Sequence, residues 1–146
     1  METIAHILKD KGAKVHHAPP ATTVLEAVEK MCAERVGALL VCEQGHPVGM
    51  FTERDLMARV ILEGRDPATT PVADVMSRDL VYVEPTTQAE EAMAVMTERR
   101  CRHLPVVVDG QVVGLISIGD LVRWASRNQE FNIRQLEDYI CGRYPG

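Results

Sequence analysis

A chain of 146 residues, 46% hydrophobic and 25% charged, fits one compact domain or two closely packed half-domains of ordinary globular make-up. Its net charge of −5 excludes a broad nucleic-acid or anionic-membrane surface, because both need clustered Lys and Arg. No apolar run approaches the ~18 residues of a membrane helix, and the opening METIAHILKDKGAK does not read as a signal peptide.

The first apolar stretch, TIAHIL (residues 3–8), resembles the later PVADVM (71–76), with a register three residues off the repeat described below. KVHHAPP (14–20) is an extended segment of polar character. His16 and His17 within it have no acidic or sulfur residue at ligand spacing, so they read as surface histidines and not as a metal site. Thr23 and Glu26 then have capping-box spacing, and Val24, Ala27, Val28 and Met31 recur at i, i+3, i+4, i+7. This is a helix with one buried face. Two apolar runs, ALLVC and VGMF, split by EQGHP, predict a hairpin in which Phe51 is core. A helix over 54–62 follows, stopped by Gly64, and RDPATTP (65–71) is a linker whose prolines discourage helix.

The second half repeats the first. Shifting the sequence by 65 residues aligns 20–56 with 85–121 without a gap and pairs many identical residues, among them Pro20/Pro85, Thr22/Thr87, Met31/Met96, Arg35/Arg100, Gly49/Gly114 and Asp55/Asp120. LVYVEP (80–85) predicts a strand more firmly than its polar counterpart. Thr87 and Glu90 have capping-box spacing, with Ala89, Ala92, Met93 and Met96 on the buried face. LPVVV and VVGLIS form a hairpin around Asp109-Gly110, and a helix over 119–127 places Trp124 where the first copy has Arg59. A closing helix is expected from Asn132 onward, with Ile133, Leu136 and Ile140 as its stripe. It has no equivalent in the first copy, so it covers the duplicated core or a partner chain.

The phrases GMFTERDL (49–56) and GLISIGDL (114–121) end the second strand of each copy and start its second helix. Thr52-x-x-Asp55 and Ser117-x-x-Asp120 suit helix capping: a hydroxyl accepts from orphan N–H groups and an acid bonds back. The same position suits ligand chemistry. A helix N-terminus attracts phosphate, a carboxylate one turn along can accept both hydroxyls of a ribose, and a glycine lets a flat base approach the strand. Spacing leaves both readings open.

The duplicated P-x-T-x-x-x-A-x-x-x-M helix, the hairpin RHLPVVVDGQVVGLIS and the ending G-h-x-[ST]-x-x-D-L resemble a pair of CBS domains (cystathionine β-synthase-type) from about residue 3 to 127. The resemblance implies an α+β fold of two β-α-β-β-α repeats packed with pseudo-twofold symmetry. The expected divisions are 1–66, 67–128 and a helical extension over 129–146. It implies a stand-alone regulatory sensor that binds an adenosine-containing ligand in clefts between the repeats: AMP, ADP, ATP, NAD(H) or S-adenosylmethionine. Asp55 and Asp120 would hold ribose hydroxyls, and Thr52 and Ser117 would lie near ribose or phosphate. Met50, Phe51, Leu115 and Ile116 with Thr22 and Thr87 would line the adenine. Basic residues before the LPV strand often reach phosphate in this family, so Arg102 and His103 join Arg54 as phosphate residues. The two copies differ here, since Gly37-Ala38 and Gly119 stand at the matching places.

No required cofactor, no metal and no catalytic residue is expected, since no nucleophile–base constellation can be placed. Partners would be the nucleotide, a second copy in a homodimer and a separate effector protein, with neither nucleic acid nor membrane involved. Cys32, Cys42, Cys101 and Cys141 form no C-x-x-C and read as free thiols of a cytoplasmic protein. The alternative is a homodimeric scaffold whose repeated phrase is nothing more than two helix caps.

Overall fold

The computed structural model describes residues 2–12 and 14–127. The helix expected from Asn132 onward lies outside the described residues. Two compact units emerge, and they do not follow the order of the repeats. One holds Met1–Lys14, Tyr82–Asp109 and the described residues from Val113 on. The other holds Val15–Val81 together with Gly110–Val112.

In the unit built on Val15–Val81, β1 (His17–Ala18) pairs in parallel with β2 (Ala38–Glu43), which pairs antiparallel with β3 (His46–Thr52). α2 (Val24–Glu34) connects β1 to β2. Thr23 caps it: its Oγ1 accepts the Glu26 amide at 3.2 Å, and the Glu26 carboxylate accepts the Thr23 amide at 3.1 Å, the predicted capping box. Ala18, Val24, Ala27, Met31, Leu39, Val41, Phe51 and Val60 form the core here. Burying a side chain such as Leu39 or Phe51, both fully enclosed, is worth roughly 1.5–3 kcal/mol each.

The β2–β3 turn is two residues long, Gln44 and Gly45, both at positive φ (54° and 82°). That backbone matches the right-handed twist of the flanking strands. After β3, α3 (Glu53–Asp55) runs directly into a wider π-helical stretch, Leu56–Ile61, where the Leu62 amide reaches the Met57 carbonyl at 3.0 Å. An ordinary helix over 54–62 was the expectation. The wider turn is a local departure of the i→i+5 kind often found near functional sites.

The other unit holds α1 (Ile4–Lys11), α4 (Ala89–Arg99), β4 (His103–Val108), β5 (Gln111–Ser117) from Val113 on, and α5 (Ile118–Arg127). Asp109 and Gly110 form the β4–β5 turn at φ 50° and 79°, the same solution as in the first hairpin. α1 and α4 both pack on α5, whose buried residues include Leu121, Trp124 and Ala125. Residues 80–85 form no full strand. Val83 alone bridges Val106 in parallel, the equivalent of Ala18 beside Val41, so the polar copy is the one that extends to a two-residue strand. The cap of α4 is Gln88 with Glu91, one residue later than Thr87 and Glu90. Thr87 instead uses its hydroxyl to accept the Glu84 amide at 3.0 Å.

The lead segments explain the unit borders. Thr3 bridges Gln88, and Pro71 bridges Thr23. The Ile4 amide donates to the Thr87 carbonyl at 2.8 Å, as the Val72 amide donates to that of Thr22 at 2.7 Å. Ala5 and Ala73 repeat the match on Pro85 and Pro20. The three-residue register between TIAHIL and PVADVM is therefore real. Each lead segment docks on the Pro-x-Thr turn of the other copy.

Candidate functional site

Each copy ends its second strand at a hydroxyl residue and begins a helix there. Thr52 Oγ1 accepts the Asp55 amide at 3.2 Å, and the Asp55 carboxylate accepts the Thr52 amide at 3.0 Å and its hydroxyl at 3.1 Å. Ser117 and Asp120 do the same, at 3.2, 2.8 and 3.0 Å. The capping reading of the repeated phrase thus holds in both copies. Both carboxylates are buried, Asp55 5% and Asp120 3% exposed, so neither is an ordinary surface acid. A buried carboxylate needs paired donors, and each has recruited more than its cap supplies.

Their further partners differ. Asp55 accepts from the Ser77 hydroxyl at 3.0 Å, and Arg59 Nε lies 3.7 Å away. Asp120 accepts from Lys11 Nζ at 2.7 Å and from Arg123 Nη2. Burial pushes the Asp120 carboxyl up. The Lys11 ammonium and the Ser117 amide and hydroxyl more than reverse that and hold it below its usual range. Arg59 and Arg123 stand four and three residues after their aspartates, a helical spacing that could have suggested them. Lys11 and Ser77 could not be found that way, because the lead segments reach the turns only through the tertiary fold.

The strand backbones beside the turns are also engaged. Met50 exchanges two bonds of 2.9 Å with Ser77, amide to carbonyl in each direction. The Leu115 carbonyl accepts from Lys11 Nζ at 2.5 Å. The side chains of Met50, Phe51 and Ile116 point into buried surroundings, with Phe51 in the core as expected. The open space expected over the two glycines is filled by the lead segments. A Cβ on Gly49 would overlap Met76 Sδ, and one on Gly114 would stand 2.6 Å from Leu8 Cδ2.

Thr22 and Thr87 present their carbonyls to the lead segments. Arg54 is exposed on α3, and Arg102 is exposed just before β4. His103 is half-buried, and burial lowers its pKa. Nearby Lys11 and Arg102 lower it further, while Asp120 works the other way. An imidazole below its usual 6.5 is mostly neutral at pH 7, so His103 acts there as a hydrogen-bonding group rather than a cation. A cleft of about 450 Å³ opens beside Asp120, with Asp10, Lys11, Arg123, Ser126 and Arg127 among its walls.

Among the described residues no group of His, Cys, Asp and Glu could hold a metal ion, and no helix is long and apolar enough to cross a membrane. Among the described residues no disulfide forms: Cys32 is exposed, and Cys42 and Cys101 are half-buried.

The chain matches the family described as CBS domain twice, over residues 4–62 and 72–127. It is 36% identical over 151 residues to the mitochondrial CBS domain-containing protein CBSX3 of Arabidopsis thaliana, covering 97% of this chain and 73% of that one. The crystal structure of the CBS domain protein NE2398 superposes with a TM-score of 0.82 at 42% identity, over 86% of this chain and 98% of the other. CBSX2, solved in complex with AMP, superposes with a TM-score of 0.73 at 26% identity, over 89% of this chain and 100% of its own. With two matched repeats, the reciprocal docking of their lead segments and these likenesses, the chain belongs to the CBS-domain family and carries a CBS pair.

Proposed function

We propose that this chain is a non-enzymatic regulatory module that binds an adenosine-containing ligand of the AMP, ADP, ATP or NAD class. The observation that carries the reading is the pair of buried carboxylates, Asp55 and Asp120, each fixed one turn into a helix and backed by a hydroxyl. A carboxylate held that way is pre-oriented to accept from vicinal ribose hydroxyls. Thr52 and Ser117 then serve ribose or phosphate. The backbone at 50–51 and 115–116, with Thr22 and Thr87, serves adenine, and Arg54, Arg102 and His103 serve phosphate. AMP on the CBSX2 relative supports the ligand class.

Binding in this reading exchanges partners. Ribose hydroxyls take over donor positions that the Ser77 hydroxyl and the Lys11 ammonium hold on the two aspartates. Both donors sit on or beside the lead segments, so occupancy changes how those segments are held. Differential contact of that kind shifts a population, and a second copy in a homodimer or a separate effector protein reads the result. Cysteines that form no disulfide among the described residues suit the cytoplasm.

Thermal unfolding with AMP, ADP, ATP, NAD, NADH and S-adenosylmethionine tests the reading, on wild type beside Asp55→Ala/Asp120→Ala. A ligand at one hundred times its Kd adds ~2.7 kcal/mol, and the shift is expected to vanish in the double variant. The saturation of both carboxylates by partners within the chain favours one competing reading, a ligand-free homodimeric scaffold. Absence of any shift at millimolar ligand would leave that reading standing.

A further inference from the structure

The two strand-to-helix turns, the first at Thr52–Asp55 and the second at Ser117–Asp120, share their capping bonds and differ in the charge around their carboxylates. Asp55 is held mainly by neutral hydroxyls, those of Thr52 and Ser77, with Arg59 at 3.7 Å. Asp120 is held by two cations, Lys11 at 2.7 Å and Arg123. The Lys11 ammonium is shared between Asp120 and the Leu115 carbonyl, the carboxylate and the strand backbone that a nucleoside would address. Arg127, 3.5 Å from Asp10, lines the same cleft. The cleft walls therefore carry Lys11, Arg123 and Arg127 against Asp10 and Asp120, an excess of positive charge.

A ribose that takes Oδ2 of Asp120 displaces Lys11, whose side chain is only 28% exposed. The displaced ammonium would then stand beside Arg123 and Arg127 without its counter-ion, which is unfavourable in a partly desolvated cleft. A phosphate on the ligand supplies the missing anion and restores a charge-assisted bond. A bare nucleoside does not. At Asp55 the group to be displaced is the Ser77 hydroxyl, and its release leaves no charge behind.

We infer that Lys11 is the specificity-determining residue of the second turn, making it select phosphate-bearing adenosine ligands over the nucleoside. At the first turn no displaced cation enforces such a selection, and any preference there is that of Arg54 alone. The inference rests on the nucleotide-binding reading above.

Calorimetric titration with AMP and with adenosine tests it, on Asp55→Ala, on Asp55→Ala/Lys11→Met and Asp55→Ala/Lys11→Arg, and on Asp120→Ala to isolate the first turn. With Lys11 present, the second turn should bind AMP about tenfold more tightly than adenosine, the size of one charge-assisted contact. Lys11→Arg should keep that preference, and Lys11→Met should reduce it to about threefold or less. In Asp120→Ala any preference that remains is that of Arg54 and should stay the same when Lys11→Met is added. A preference unchanged in Lys11→Met, in protein shown to be folded by circular dichroism, overturns the inference. Binding by Asp120→Ala but not by Asp55→Ala also overturns it, yet leaves nucleotide binding in place at the first turn. No binding by wild type would remove the nucleotide reading itself.

Discussion

Met76 Sδ occupies the space where a side chain on Gly49 would begin. The two residues are 27 apart in sequence. They meet because the chain after the linker returns along β3, where Met50 and Ser77 exchange amide–carbonyl bonds. Gly114 and Leu8 repeat the relationship in the other unit. In both places the glycine makes room for a lead segment, which is why both copies of the phrase begin with Gly.

Gly49→Ala should therefore destabilise the protein by roughly 1–3 kcal/mol through overpacking against Met76. Trimming the obstacle should recover part of the loss, so that Gly49→Ala/Met76→Ala costs less than the sum of its parts. Urea unfolding of the four proteins in the double-mutant cycle measures that coupling. Strict additivity would mean that the two side chains do not compete for one space.

His103 makes stability fall in mild acid. Burial, Lys11 and Arg102 disfavour its protonated form, against the pull of Asp120, so its folded pKa lies below 6.5. Between those two values the unfolded chain binds more protons, and stability rises with pH by at most about 1.4 kcal/mol per unit from this group. The loss begins as pH drops through about 6.5. Asp120 adds a second, more acidic limb: its carboxyl is held below 3.8, so its contribution is present above that value and lost beneath it. Urea midpoints taken at several pH values should show the first limb in wild type and not in His103→Gln. An identical profile in the variant would assign the limb to another group.

Arg35 and Arg100 end α2 and α4 in the left-handed conformation, both at φ 56°. A side chain with a Cβ is strained there, and glycine is not. Both arginines are exposed. Arg35→Gly should raise stability by about 0.5–1 kcal/mol, net of the greater freedom glycine gives the unfolded chain. Calorimetric melting would read this as a Tm higher by a few degrees. A lower Tm would show that the arginine side chain contributes contacts worth more than the strain.

The thiols should react in a fixed order. Cys32 is exposed, while burial pushes the Cys42 and Cys101 thiols up and withdraws them from solvent. In a Cys141→Ser background, a thiol-reactive dye at neutral pH should label Cys32 first, with peptide mapping to identify the site. Equal rates at the three positions would contradict the burial.

Much of this architecture was legible in the residues alone. Period and caps located α2, α4 and both hairpins, and the 65-residue self-match located the repeat. Thr52, Asp55, Ser117 and Asp120 were found as a unit because capping is local: hydroxyl and acid lie three residues apart on one chain segment. The cap of α4 went astray by one residue because Thr87 and Gln88 both offer a side chain at that point, and Thr87 is already engaged by Glu84. The strand at 80–85 shrank to one bridge at Val83, since a β pairing depends on a neighbour that propensity does not specify.

What the sequence determined by itself was therefore most of what rests on neighbours within about four positions, together with the duplication. What only the tertiary structure decided was who else meets the two aspartates. Lys11 lies 109 residues from Asp120 and Ser77 lies 22 from Asp55. Those pairs follow from how the lead segments cross to the other copy. The chain repeats the carboxylate, but a neutral hydroxyl meets it in one copy and an ammonium in the other, because the two lead segments diverge just past the stretch that docks them alike.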